Sequence, residues 1–233
     1  VAMTNCVEAI ETLYAIWHAG LVAVPMNAKL HSREFAYILE NSGAQLCICT
    51  EDLAEDIESV RGDCPTVRAV IVAGRKEYRR LGIGDPIPLA DRSATDLAWL
   101  FYTSGTTGRP KGASLSHRNL IAMTQGYFAD VDDPGFGAPI LHAAPVSHGS
   151  GLYNFPLLAR AGVQIIPESG RYEPDETVAL ANHWRGMSMF LAPTMVKRLV
   201  EHPASAELKP GAIRTIVYGG GPMYVADTLK AIE

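Results

Sequence analysis

The chain has 233 residues, 48% of them hydrophobic and 19% charged, with 20 Lys and Arg against 25 Asp and Glu. This composition excludes a disordered chain or a coiled coil, and the length suits one α/β domain or two small ones. The net charge of −5 argues against a nucleic-acid partner. No apolar run approaches the roughly 18 residues of a membrane span. The four cysteines include no C-x-x-C pair, which predicts a reduced, cytoplasmic protein.

The first third of the chain alternates between helix-like and strand-like segments. Apolar residues at helical spacing predict one helix over residues 6–19 and a second that begins with Ser32 as its capping residue. Short apolar runs predict strands at residues 21–26, 45–50 and 67–72. This alternation favours a mostly parallel sheet built from right-handed crossovers.

Residues 74–96 break this rhythm, because much of the stretch is rich in Arg, Gly and Pro and shows little periodicity. We predict a surface connection there, between a first α/β subdomain at residues 1–73 and a second at residues 97–233. The basic residues of the connection could contact a phosphate, but a solvated loop explains them better.

Beyond the connection the alternation resumes. Apolar runs predict strands at residues 97–102, 140–144, 163–166, 187–191 and 213–218. Helical patterns lie at residues 119–129, 153–161, 174–184 and 193–202. The predicted fold class is therefore α/β, with mostly parallel sheets flanked by helices in two βαβ-type subdomains.

Both ends of the chain have the character of interior segments. Val1-Ala2-Met3 reads as the tail of a buried strand, and residues 224–233 keep helical spacing without a cap. We therefore expect the chain to be a fragment of a longer protein.

One segment has the composition of a phosphate-binding loop. The ten residues from Thr103 to Gly112 hold four hydroxyls, three glycines, two cations and one proline, and they directly follow an apolar strand. Glycines allow several backbone N–H groups to converge on an anion. Hydroxyls add donors, and Lys111 adds a point charge for terminal phosphates. The segment therefore suits a polyphosphate.

Other readings of this segment are weaker. A mobile Gly/Ser/Thr linker seldom ends in Pro-Lys-Gly immediately after a strand. The spacing is not that of the common P-loop, because Pro110 stands where its second glycine belongs when counting from Gly105. The sequence contains neither a G-x-G-x-x-G dinucleotide fingerprint nor a G-x-S-x-G nucleophile elbow.

The sequence YTSGTTGRPKG at residues 102–112 resembles the phosphate-binding signature of the adenylate-forming superfamily, which includes acyl- and aryl-CoA ligases, luciferases and adenylation domains of peptide synthetases. Further segments are similar in the same order. AGLVAVPMN at residues 19–27 resembles the family's AGAVAVPLN, and APVSHGSG at residues 144–151 its PLFHGFG. RTIVYGGGPM at residues 214–223 is similar to its SGGAP strand and loop, so the resemblance covers essentially the whole chain.

The resemblance implies roles for individual residues. It gives Lys111 and His148 catalytic roles. His148, Gly149 and Tyr153 would border the acid substrate. The implied contacts to the phosphates of ATP are Thr103, Ser104, Gly105, Thr106, Thr107, Gly108 and Lys111. Those implied for adenine are Gly219, Gly220, Gly221 and Pro222. From its residues alone, this glycine run fits a tight strand-to-helix turn equally well.

The function implied is that of an ATP-dependent carboxylic acid ligase. Such an enzyme forms an acyl-adenylate and pyrophosphate, then an acyl-CoA thioester, with ATP, Mg²⁺ and coenzyme A as its cofactors and co-substrates. A peptide-synthetase-like domain that loads a carrier protein is an alternative. The resemblance also implies a Mg²⁺-binding Glu and a catalytic Lys that the chain lacks, so we expect the isolated fragment to bind at most and not turn over. The acid, the metal ligands and a homo-oligomeric state stay open.

Several chemically attractive residues have simpler explanations. His142 lies in a predicted strand and reads as a core residue, and the other histidines show no metal-ligand spacing. Cys47 and Cys49 alternate with Leu46 and Ile48, as small buried hydrophobes do. Three methionines near Phe190 could line an acyl pocket, but they fit an ordinary core better: Met187, Met189 and Met195.

Overall fold

A computed structural model describes residues 1–103 and 109–232 of the chain. They form two compact units, Val1–Ile121 and Ala122–Glu233. The first unit includes residues 97–103 because Ala23 bonds to both neighbours of Trp99, with Ala23 N donating to Ala98 O at 2.9 Å and Leu100 N to Ala23 O at 2.8 Å. The predicted subdomain boundary at residues 74–96 is a different division of the chain and stays a prediction.

The first unit begins with alternating helices and parallel strands. Its elements are α1 Val7–His18, α2 Ser32–Ser42, β1 Leu46–Cys49, α3 Ala54–Val60, β2 Ala69–Val72 and α4 Lys76–Leu81. β1 and β2 pair in parallel, with Leu46 opposite Ala69 and Cys49 opposite Val72. Helices α2 and α3 bury their apolar faces against this pair, so that Phe35 of α2 and Ile57 of α3 share one core with Cys47 and Cys49.

Two local predictions for this unit are wrong in detail. Residues 21–26 make only isolated bridges, at Ala23 and Met26, because the segment pairs too briefly on each side to form a strand. The cap of α2 is His31 and not Ser32, since His31 Nδ1 accepts a hydrogen bond from Arg33 N at 3.3 Å and the Glu34 carboxylate accepts one from His31 N at 2.9 Å. The connection predicted at residues 74–96 contains the short helix α4, none of whose residues is buried.

A hairpin completes the strands of the first unit. β3 Leu97–Thr103 pairs antiparallel with β4 Lys111–Ser116, and Thr103 lies opposite Lys111. β4 was not among the predicted strands. Its residues are mostly small and polar, and they lack the apolar alternation by which strands are recognised.

The second unit holds a four-stranded parallel sheet in the order β6-β5-β7-β8. Its strands are β5 Pro139–Leu141, β6 Val163–Ile165, β7 Met187–Leu191 and β8 Ile213–Tyr218. Helix α5 His117–Asp130 spans the boundary at Ile121, and the helices that lie wholly in the second unit are α6 Gly149–Leu152, α7 Asn154–Ala159, α8 Pro174–Trp184, α9 Pro193–Glu201 and α10 Val225–Ile232. Short 3₁₀ turns elsewhere lie at Glu51–Leu53, Arg61–Asp63 and Pro203–Glu207. The α/β fold class with parallel sheets and flanking helices is confirmed.

The parallel direction of the strands places three loops together at one edge of the sheet. The loops after β5, β7 and β8 leave the same edge of the sheet, because parallel strands end on one side. Within the described ranges, no helix has both the length and the apolarity needed to cross a membrane.

A clamp of hydrogen bonds secures the start of β8. Both carboxylate oxygens of Asp132 accept hydrogen bonds from the Arg214 guanidinium, at 2.7 and 2.6 Å, and Thr215 Oγ1 donates a third bond at 2.6 Å. These bonds, chiefly those from Arg214, lower the pKa of Asp132 although partial burial acts against them.

We expect Asp132→Asn to lower the free energy of unfolding by about 1–2 kcal/mol at pH 7, since Arg214 is nearly half exposed and solvent screens the pair. A carboxyl with a depressed native pKa stabilises the fold above its unfolded pKa of about 3.9, and this contribution is lost as the pH falls toward the native value. Urea titrations at pH 7 and pH 3 should therefore show a smaller difference between variant and wild type at pH 3. A difference that does not depend on pH would contradict the ionic role.

Gly126 lies inside α5, and a Cβ built on it meets nothing within 4 Å. We expect Gly126→Ala to stabilise the protein by about 0.5–1 kcal/mol, because alanine has less backbone freedom to lose on folding. A rise in the urea midpoint at unchanged slope checks this, and a lower midpoint would contradict it.

Candidate functional site

The predicted phosphate-binding segment joins the two strands of the hairpin. Thr103 ends β3 and Lys111 begins β4, and pairing across the hairpin sets them opposite each other. Both side chains are exposed, as is Arg109, whose guanidinium carbon lies 5.8 Å from the centre of the Tyr37 ring. The remaining predicted phosphate contacts lie outside the described residues: Ser104, Gly105, Thr106, Thr107 and Gly108.

The base of this hairpin is held by a buried tyrosine. A Cβ on Gly112 would lie 2.9 Å from Cζ of Tyr102, so only glycine lets the ring lie across β4 at this point. The Tyr102 hydroxyl donates a hydrogen bond to Asn41 Oδ1 at 2.6 Å, which ties the hairpin to the end of α2. Burial raises the pKa of Tyr102, so the hydroxyl remains a donor at neutral pH. Thr103 and Lys111 therefore extend from a fixed base.

His148 lies in the loop after β5, immediately before α6. It is half-buried, and its Nδ1 lies 3.2 Å from Ser147 Oγ. Burial lowers the pKa of His148 from its ordinary value near 6.5, so the imidazole is neutral at pH 7. A neutral imidazole has one nitrogen that donates and one that accepts.

Phe190 brings three of the predicted site residues together. A Cβ on Gly149 would lie only 2.4 Å from the Phe190 ring, and a Cβ on Gly219 would lie 3.3 Å from it. Tyr153 stacks on the same ring, with centroids 5.3 Å apart and planes 12° apart. Two residues predicted to border the acid and one predicted to contact adenine thus lie against the same aromatic side chain. This side chain is at the edge of the sheet where β5, β7 and β8 end.

The glycine run after β8 presents its backbone to solvent. Gly219 N donates to Leu191 O at 3.3 Å, which continues the pairing of β7 with β8 by one residue. Gly220 has a φ of +82°, a conformation that L side chains rarely adopt, and Gly221 and Pro222 are exposed. A flat ring can approach this backbone closely, as adenine would need to.

Phe190 was not among the predicted site residues. Its neighbours along β7 are buried core residues, including Met187 and Met189, and local patterning gave no reason to separate it from them. The available signal was indirect: two glycines in distant loops, Gly149 and Gly219, each leave room for a large side chain.

His142 is a buried core residue, as the sequence predicts, but it is not a bare one. Its Nδ1 lies 2.8 Å from Ser150 Oγ and its Nε2 lies 2.8 Å from Gln164 Oε1. Burial lowers the pKa of His142 to about 4, against the opposing effect of its hydrogen bonds to Gln164 and the backbone of Ser150. Cys47 and Cys49 are also buried, and all four cysteines are free thiols.

A Mg²⁺ site would need a cluster of side chains that can act as metal ligands. Across residues 1–103 and 109–232, no three His, Cys, Asp or Glu side chains gather as metal ligands. These residues therefore do not by themselves form a Mg²⁺ site.

Comparisons with known proteins identify the family of the chain. A sequence profile described as AMP-binding enzyme matches residues 1–231. The chain is 31% identical over 226 residues to a feruloyl-CoA synthase of Amycolatopsis sp, covering 92% of this chain and 42% of that protein. It is 26% identical over 217 residues to ScoC of Streptomyces coeruleorubidus, a fatty acid–[acyl-carrier-protein] ligase, covering 91% of this chain and 41% of that one.

Structural comparison gives the same result. The crystal structure of ATP-bound MatB from Rhodopseudomonas palustris superposes with a TM-score of 0.83 at 26% identity, covering 99% of this chain and 46% of that one. The chain spans less than half the length of these three proteins. The profile match covers nearly every residue, and both the fold and the order of the motifs agree with it. The chain therefore belongs to the AMP-binding enzyme family, the adenylate-forming ligases.

Proposed function

We propose that the protein to which this chain belongs is an ATP-dependent carboxylic acid ligase, which forms an acyl-adenylate and pyrophosphate and then an acyl-CoA thioester. The observation that carries the proposal is the meeting of Gly149, Tyr153 and Gly219 at the Phe190 ring. An acid site and an adenine site must adjoin if a carboxylate is to reach the α-phosphate of ATP, and here the two predicted segments share one side chain.

In the first step a carboxylate oxygen attacks the α-phosphorus, the bond from that phosphorus to the bridging oxygen breaks, and pyrophosphate leaves with the electron pair. Catalysis of such a step consists of positioning the reactants and stabilising charge on the phosphates. Lys111 supplies a cation, and the hydroxyls and amides from Thr103 to Gly108 supply donors. Mg²⁺, when bound, would neutralise further phosphate charge.

His148 would border the substrate carboxylate. Its imidazole is neutral at pH 7, so it offers one N–H donor to a carboxylate oxygen without pairing with it as a fixed cation. This leaves the carboxylate nucleophilic, whereas a strong ion pair would stabilise the ground state. The stacked rings of Tyr153 and Phe190 provide an apolar wall for the body of the acid.

In the second step a thiol loses its proton to solvent, its sulfur attacks the acyl carbonyl, and AMP leaves with the bonding pair. We propose coenzyme A as the thiol, in line with the feruloyl-CoA synthase among the relatives. A carrier-protein thiol is the second candidate, because ScoC is named a ligase for acyl-carrier protein. The two candidates share the first step entirely.

The decisive test is acid-dependent ATP–pyrophosphate exchange by the full-length protein that contains this chain. A panel of aromatic, short and long-chain acids should include at least one that stimulates exchange, and adding coenzyme A should then convert the adenylate to a thioester seen by mass spectrometry. Absence of exchange with every acid would overturn the proposal, and thioester formation only on a carrier protein would replace coenzyme A as the acceptor. We also propose that the 233 residues alone do not catalyse exchange, which the same assay checks.

A further inference from the structure

His142 follows β5 directly and lies completely buried beneath the start of α6. Its two ring nitrogens contact different elements. Nδ1 reaches Ser150 Oγ in α6 and Nε2 reaches Gln164 Oε1 in β6, each at 2.8 Å. Neither contact belongs to the proposed reaction, yet Ser150 is only two residues from His148 in sequence.

The hydrogen-bond pattern fixes which nitrogen carries the proton. The Gln164 amide nitrogen donates to Gly162 O at 3.4 Å, which turns the amide oxygen toward His142. This amide orientation assigns the donor role to His142 Nε2 and leaves Nδ1 as the acceptor for the Ser150 hydroxyl. The low pKa of His142, about 4, keeps this arrangement unchanged across the neutral range.

The helix that His142 contacts is too short to hold its own position. α6 has four residues, and one helical turn alone is unstable in water. Its first turn is closed by a bond from Gly151 N to His148 O at 3.0 Å, and the buried Asn154 amide donates to Gly151 O from the following helix. The bond from His142 to Ser150 ties this turn to the strand segment beneath it.

We propose that His142 is a positioning residue of the acid site, which sets His148 and Gly149 against Phe190 by anchoring Ser150. The inference rests on the proposed function for its link to the acid substrate. A buried polar group costs free energy unless it is bonded, and an apolar residue of similar size would stabilise a core more simply. A requirement to place the turn that begins at Gly149 accounts for a histidine bonded on both sides.

Two substitutions separate the contacts of His142. In His142→Asn the amide oxygen is bonded directly to Cγ, as Nδ1 is, so it can still accept a hydrogen bond from Ser150, but the side chain no longer reaches Gln164. In His142→Gln the amide nitrogen lies two bonds from Cγ, as Nε2 does, so the side chain keeps its bond to Gln164 and loses the bond to Ser150. Each variant leaves one buried partner without its bond, so we expect similar losses of thermal stability. Ser150→Ala removes the anchored hydroxyl itself.

The experiment uses the full-length protein and two readouts. We expect His142→Gln and Ser150→Ala to raise the KM for the acid about tenfold while the KM for ATP stays within about twofold, and to speed amide hydrogen exchange in residues 146–153 by about tenfold. His142→Asn should stay within about twofold of wild type in both. Equal effects of the Asn and Gln variants, or a loss of thermal stability with no change in acid KM, would overturn the proposal.

The two failures can be told apart. If the wild-type protein activates no acid, the proposed function fails. The rates of amide hydrogen exchange in residues 146–153 then decide alone whether His142 anchors α6. If acid activation is found but exchange in residues 146–153 is the same in the Gln and Asn variants, the anchoring role is wrong while the proposed function stands.

Discussion

Replacing Lys111 by alanine in the full-length protein should lower acid-dependent pyrophosphate exchange by on the order of 10²–10³-fold, the usual effect of removing one electrostatic contact to a transition state. Lys111 is exposed at the start of β4, and Thr103 holds its backbone in register, so the ammonium is free to reach a phosphate without disturbing the core. Exchange rates measured at saturating acid and ATP check the prediction.

The matched control for this variant is Lys76→Ala, which removes an equally exposed cation at the first residue of α4. We expect it to leave exchange within about twofold of wild type, as is usual for surface substitutions. Both variants should keep the wild-type melting temperature within a few degrees. Wild-type exchange in Lys111→Ala would show that this lysine does not contact the phosphates.

Gly149→Ala should raise the KM for the acid roughly tenfold or more. The added Cβ would lie 2.4 Å from the Phe190 ring, a distance that non-bonded atoms do not adopt, so the ring must move. Its retreat is limited, because Tyr153 stacks on it and Gly219 approaches it from the loop after β8. Overpacking of this kind costs typically 1–3 kcal/mol. Steady-state kinetics across the same acid panel measures the effect.

A smaller side chain at position 190 should relieve this clash. We expect the double variant Gly149→Ala with Phe190→Leu to have an acid KM close to that of the wild type, because the effects of substitutions at contacting residues are not additive. Gly126→Ala is the control, since its added methyl group meets nothing. If the double variant loses the sum of the two single effects, Gly149 does not act through Phe190.

Elements with a strong local pattern could be predicted from the sequence. α8 and α9 each open on a proline, and β7 and β8 are short runs rich in apolar residues, so their types and approximate bounds follow from residues close together. β4 and residues 21–26 could not, because pairing partners distant in the sequence decide whether such segments become strands. The cap at His31 was also missed, since histidine seldom takes that role.

The candidate site divides along the same line. Glycine-rich segments predict where the backbone approaches a ligand. Thr103 and Lys111 lie at strand ends and Gly219 directly follows one, while their ligand roles stay predictions. Phe190 and His142 could not be found this way. Each acts through partners in two or more separate segments, and only the folded chain brings those partners together.

The Asp132 clamp lies at the opposite end of β8 from the glycine run. Arg214 and Thr215 are held near the first residue of the strand, whereas Gly219 follows its last. Substitutions that stabilise the edge of the sheet where β8 begins can therefore leave unchanged the loops at the opposite edge, where the acid site is proposed. Within this unit, the residues that stabilise the start of β8 and the residues of the proposed acid site form separate sets.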